Sequence, residues 1–130
     1  MAVGLKASVA NSFLDAIGNA TNYTAPTAIW AKLHTGDPGA AGTSNAATET
    51  TRKQVSFGAA SAATITSDAD VAWTNVSTTE TYSHVSYWDA STSGNFIYSD
   101  DLTASKSVTA GDNFTIPSGS LSITISGIAA

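Results

Sequence analysis

The chain has 130 residues, no cysteine, and ten acidic residues against five basic ones, for a formal net charge of −5. A single domain of this length buries about two-thirds of the surface its unfolded chain exposes, so its core needs no covalent staples. The missing cysteines exclude thiol nucleophiles, thiolate zinc sites and iron–sulfur clusters. Five cations (Lys6, Lys32, Arg52, Lys53 and Lys106) cannot form the patch that displaces counterions from nucleic acid or binds an anionic membrane.

Charged residues make up 12% of the chain, about half the usual share for a globular domain. Serine and threonine fill more than a quarter of all positions. A composition that polar can mean disorder, but 42% hydrophobic residues and eleven aromatics argue for a fold with an uncharged, hydroxyl-rich surface. Such a surface suits close contact with other subunits, since few charges need desolvating on association. The opening residues, with Lys6, Asn11, Ser12 and Asp15 among them, lack the unbroken apolar run of a signal peptide. No run of apolar residues reaches membrane-spanning length.

The first element in chain order is an N-terminal helix over 1–19. Leu5, Val9, Phe13 and Ile17 recur every four residues, Val3, Ala10, Leu14 and Ala16 widen the stripe, and Gly18-Asn19 supplies a stop. After Pro26 the period changes to two: over Thr27–His34, Ile29, Ala31 and Leu33 alternate with Trp30, Lys32 and His34, which predicts a strand. Residues 35–51 are rich in Gly, Ala, Thr and Asn and contain Asp37-Pro38-Gly39, a turn signal in which proline presets φ and glycine accepts positive φ. Loops of this length are commonly functional or mobile.

Short strands are then expected at close intervals: Gln54–Ala60, Ala63–Thr66, Val71–Val76, Tyr82–Asp89, Phe96–Leu102, Lys106–Thr109, Asn113–Ile116, and a last one through Leu121, Ile123 and Ile125. Ser91–Asn95 is a hairpin turn between two of them. Eight or nine short strands with turn residues between them predict a mainly β domain, an antiparallel β-sandwich of jelly-roll type with one N-terminal α-helix, all within a single domain over 1–130. No second helical period appears, which argues against βαβ units.

Catalytic arrangements find little support. No Gly-x-Ser-x-Gly elbow is present, and His34 and His84 read as strand histidines half exposed on a sheet, with a His34–Asp37 pairing as the weak catalytic alternative. Asp68 with Asp70, and Asp100 with Asp101, are local carboxylate pairs without the ligand set of a calcium loop, and they read as acids that keep loop tips soluble. Phosphate-cradling glycine motifs are absent. Sequons at Asn19, Asn22, Asn75 and Asn113 are what chance produces in so Ser/Thr-rich a chain. Tyr87, Trp88 and Tyr98 could stack on sugars but read as core or interface residues. No catalytic, cofactor-binding or metal site is assigned.

The segment Trp30-Ala-Lys-Leu-His-Thr-Gly-Asp-Pro-Gly-Ala-Ala-Gly-Thr resembles a family of small virion proteins from tailed phages of actinobacteria, labelled tail fibre or minor tail protein. The similarity continues at Arg52-Lys-Gln-Val-Ser-Phe-Gly-Ala-Ala and Ser86-Tyr-Trp-Asp-Ala-Ser-Thr-Ser-Gly-Asn, and closes with Ala110-Gly-Asp-Asn-Phe-Thr-Ile-Pro-Ser-Gly-Ser-Leu. The resemblance implies a non-enzymatic protein on the exterior of a phage particle, either a capsid decoration protein or a minor tail or fibre subunit. It also implies other virion proteins as partners and a homo-oligomer, a trimer being one form considered, with no nucleic acid, membrane or cofactor. The expected contact elements are the N-terminal helix and the loop 35–51. The alternatives are a carbohydrate-binding module for host cell-wall glycans and, ranked last, a hydrolase.

Overall fold

Side chains on a strand point alternately to opposite faces, and the computed structural model, which describes residues 3–129, is organised around that alternation. Its elements are α1 (Ala7–Gly18), β1 (Ile29–His34), β2 (Lys53–Val55), β3 (Thr64–Thr66), β4 (Val71–Trp73), β5 (Glu80–Trp88), β6 (Phe96–Val108), β7 (Phe114–Ile116) and β8 (Ser122–Thr124). The fold is mainly β, with every strand pairing antiparallel and one helix near the N-terminus. Four strands form one sheet in the order β2-β1-β5-β6. The opposing layer is two short ladders, β3-β8 and β4-β7.

The register brings Ala31 opposite Tyr87 and Leu33 opposite Val85, so one face of the sheet carries these four fully buried side chains. Trp73 and Phe114, paired across β4-β7, meet them from the other layer, with Phe114 also 5.1 Å from Tyr82. Ile65 and Ile123 face each other on β3-β8, and Ile123 packs against the same cluster. Burying each such side chain stabilises the fold by roughly 1.5–3 kcal/mol.

Two irregularities shape the long hairpin β5-β6. Between the pairs Tyr82↔Lys106 and His84↔Asp101, β6 advances five positions while β5 advances two. The excess residues around Thr103–Ser105 bulge out, and Tyr82 and Val85 both reach the core three positions apart. The two strands expected at Phe96–Leu102 and Lys106–Thr109 are therefore one bulged strand.

The helix begins later than its apolar stripe suggests. Leu5 forms a bridge with Tyr98, the Ser99 N–H donates to the Gly4 carbonyl at 2.9 Å, and the Lys6 N–H donates to the Ile97 carbonyl at 2.8 Å. These bonds hold residues 4–6 extended along the rim of β6, so helical φ/ψ starts at Ala7. The predicted stop is observed: the helix ends at Gly18, with the Asn19 N–H bonded to the Asp15 carbonyl at 2.9 Å.

Candidate functional site

The second face of the sheet carries Trp30, Lys32 and His34 from β1 beside Trp88, Ser86 and His84 from β5. The loop 35–51 folds over this face. His34 is consequently not half exposed as its strand position suggests; it is 0% exposed, as is Ser86. Its Nδ1 lies 2.8 Å from the Ser44 carbonyl and its Nε2 2.7 Å from Ser86 Oγ, while Trp88 Nε1 donates to the same oxygen at 2.8 Å. A carbonyl only accepts, so Nδ1 carries the proton and Nε2 accepts the Ser86 hydroxyl. Trp88, Ser86, His34 and Ser44 thus form one directed chain in which each of these donors has an acceptor. Burial holds the His34 pKa down at about 4, outweighing the Ser44 carbonyl, with Lys32 and His84 pushing the same way.

A serine beside a histidine invites comparison with a nucleophile and its base, but here the roles are filled otherwise. Ser86 Oγ already accepts from Trp88, and both Ser86 and His34 lie beneath the loop. The His34–Asp37 pairing is not formed: both ring nitrogens of His34 are engaged elsewhere, and Asp37 Oδ1 accepts the Gly39 N–H at 2.7 Å within the Asp-Pro-Gly turn.

Each carboxylate pair has a member tied up within the fold. Asp70 accepts the Ser118 N–H at 2.8 Å, and burial, helped by a hydrogen bond with Asp101, pushes the Asp100 carboxyl up to about 6. Among the described residues no group of three or more His, Asp or Glu converges as a metal site would require. The aromatics considered as sugar platforms are mostly interior: Tyr87 is 0% and Trp88 7% exposed, and Tyr98 stacks on Tyr87 at 6.1 Å.

Two elements are the expected contact surfaces. The loop 35–51 is one, and it is firmly built. Its Gly42, at φ +71°, lies so close to the Phe96 ring that any Cβ would overlap it. The Glu80 carboxylate accepts the N–H groups of Thr48 and Glu49, and Trp73 Nε1 donates to the Thr51 carbonyl at 2.7 Å. Just beyond the loop, the Arg52 guanidinium lies 4.0 Å above the Trp88 ring and donates to the carbonyls of Ala90 and Ser93 in the hairpin turn. The loop is therefore part of the fold, and its outward residues, among them Thr35, Ala40, Ala41, Thr43, Asn45 and Thr48, are small and uncharged.

The second surface is α1. None of its residues is fully buried; Leu14 is 65% and Ile17 84% exposed, although Phe13 makes an edge-on contact with Tyr23 at 4.7 Å. Sequence reasoning found the helix and the loop. It missed Ser86, Glu80 and Arg52, whose roles depend on pairings across the sheet.

No curated protein sequence matches the chain. A family profile described as Podophage GP4 fiber I protein gp80 matches residues 4–124, from the bridge at Leu5 to the end of β8. The match spans both layers of the fold and the helix, and on that ground the chain belongs to this family of phage fibre proteins.

Proposed function

We propose that the chain is a tail-borne subunit of the phage exterior, a fibre or minor tail component that works by docking to other virion proteins and not by turnover. The observation that carries this reading is the extent of the fibre-family match, which leaves no part of the β fold outside it. The site chemistry agrees: the His34–Ser86 pair is sealed under the loop, and the outward loop residues are neutral and small. Docking through such a surface desolvates few charges and relies on fit.

The fibre description weighs toward the tail over capsid decoration. Glycan binding is the weaker alternative, because Trp73, Trp88 and Tyr87 are buried and unavailable for stacking. Gold-labelled antibodies against the purified chain, applied to intact particles and viewed by electron microscopy, test the placement. Label on the tail is the expected result; label spread over the capsid, or none on the particle, overturns it.

A further inference from the structure

Residues 37–45 of the long loop form a unit that hydrogen-bonds to itself. The Gly39 N–H donates to Asp37 Oδ1, the Gly42 N–H to the Gly39 carbonyl, the Ser44 N–H to the Pro38 carbonyl, and Asn45 Nδ2 to the Asp37 carbonyl. Beyond the unit the chain is held separately: the Ala47 N–H donates to the Leu33 carbonyl, and Glu80 accepts the N–H groups of Thr48 and Glu49. The unit can therefore swing as one piece without breaking its own bonds. What it gives up is its hold on the sheet. The Asn45 carbonyl accepts the Thr35 N–H at 2.9 Å, the Ser44 carbonyl accepts His34 Nδ1 at 2.8 Å, and Gly42 lies against the Phe96 ring.

We infer that the segment 37–45 is a lid released by acid, with His34 as its latch. The latch is complete only while the ring is neutral. Nε2 accepts the Ser86 hydroxyl at 2.7 Å, and Ser86 Oγ in turn accepts Trp88 Nε1–H at 2.8 Å. A proton on Nε2 makes that nitrogen a donor, so two N–H groups point at Ser86 Oγ and the hydroxyl hydrogen loses its acceptor. The new charge also lacks water, because His34 is fully buried beneath the loop. Lys32 on β1 and His84, directly across on β5, both repel it, and Arg52 adds positive charge beside Lys32. The acids on the surrounding elements are Asp101, paired with His84 on β6, and Asp37, which accepts the Gly39 N–H inside the lid. Opening the lid hydrates the ring and lets it take its proton.

The direction follows from where the proton binds. Covered His34 takes it at about 4, against 6.5 for a free imidazole, so the open form holds more protons between those values. Closure is complete above pH 6.5 and weakens as pH falls toward 4, and full protonation multiplies the opening constant by roughly 300-fold. The Thr35 N–H reports on the lid, because its bond to Asn45 breaks on opening while the bonds within 37–45 do not. Its exchange, followed by NMR and corrected for the intrinsic effect of pH, should show the opening constant rising by about tenfold or more between pH 7 and 5. Amides of the β1–β5 ladder should change only a few fold. His34→Gln, whose side chain stays neutral, should lose the rise at Thr35 whatever its opening at pH 7. Glu80→Gln should keep it.

Flat exchange at Thr35 from pH 7 to 5 would overturn the inference. So would ladder amides losing protection in step with Thr35, which means global unfolding, or a rise that disappears in Glu80→Gln, which makes that carboxylate the acid-sensitive group. Should His34→Gln fail to fold, the unaltered ring decides the matter: a His34 Cε1 signal that titrates at 6.5 or above in the folded protein rules out the latch. None of these outcomes depends on where the chain sits on a particle.

Discussion

His34 Nε2 accepts the Ser86 hydroxyl at 2.7 Å, and this bond joins the loop-bearing end of β1 to a residue two short of the end of β5. Replacing Ser86 with alanine removes a donor from His34 and an acceptor from Trp88 together, leaving two buried polar groups without partners. Each such group costs about 1–3 kcal/mol. Ser86→Ala is expected to lower unfolding stability by about 2–4 kcal/mol in a denaturant titration, with the loop 35–51 becoming protease-sensitive. A loss under 0.5 kcal/mol would show that the directed chain of bonds does not hold the loop.

The pH dependence contains two opposed contributions. His34 binds its proton at about 4 in the folded chain against 6.5 unfolded, so the unfolded state holds more protons between those values. Its stabilisation is complete above pH 6.5 and declines as pH falls toward 4, by up to about 3 kcal/mol. Asp100 behaves in reverse: a folded value of about 6 against 3.8 makes stability rise as pH falls through the same window, by less because the carboxyl is partly solvent-screened. Unfolding midpoints between pH 7 and 4 should thus change gently in the unaltered protein. Asp100→Asn removes the second contribution, and its midpoint should fall more steeply toward acid. Parallel curves for the two proteins would contradict the assignment.

Gly42 is a position where a single methyl group does harm. Its φ of +71° disfavours any L-residue, and the Phe96 ring occupies the space a Cβ needs. Strain and overpacking together cost about 2–4 kcal/mol, so Gly42→Ala should lose that much in calorimetry. Gly18→Ala, where nothing lies within reach of a Cβ, is the control and should be neutral or slightly stabilising.

Tyr87 is 0% exposed and its hydroxyl has no hydrogen-bond partner among the described residues. Removing an unsatisfied buried hydroxyl while keeping the ring relieves a desolvation cost. Tyr87→Phe is expected to be neutral or to stabilise by about 1 kcal/mol, read from chemical denaturation. A loss of more than 1 kcal/mol would mean that the hydroxyl has a partner, such as an ordered water.

Arg52 serves three contacts from one guanidinium: the Trp88 ring and the carbonyls of Ala90 and Ser93. Lysine keeps the charge but not the planar group that stacks and donates in fixed directions. Arg52→Lys should cost about 1 kcal/mol and raise amide exchange at residues 90–94, measured by mass spectrometry. Unchanged exchange would show that the turn is held instead by Asp89, whose carboxylate accepts from the backbone and side chain of Asn95.

The period-two pattern of Ile29, Ala31 and Leu33 was legible because a strand buried on one face writes its burial directly into the sequence. The same pattern misplaced His34, since alternation tells which face a residue is on and not what covers that face. The loop 35–51 was legible as a loop from its composition. Its packing was not, because its partners Ser86 and Glu80 lie 52 residues from His34 and 32 from Thr48. The bulge in β6 hid one strand as two for a related reason: extra residues erase alternation without ending the pairing. At α1, Leu5 fits the helical stripe by spacing, yet its neighbours Gly4 and Lys6 bond to β6, and the sheet rim overrides the local period.

An uncovered sheet rim invites another chain to add a strand, and then another after it, so that growth has no natural end. Here Gly4–Lys6 lie along part of β6, and the opposite rim is only the three residues of β2, beginning with the positive Lys53. Neighbours are thereby discouraged from joining sheet to sheet. Endless strand stacking along this four-stranded sheet is thereby disfavoured.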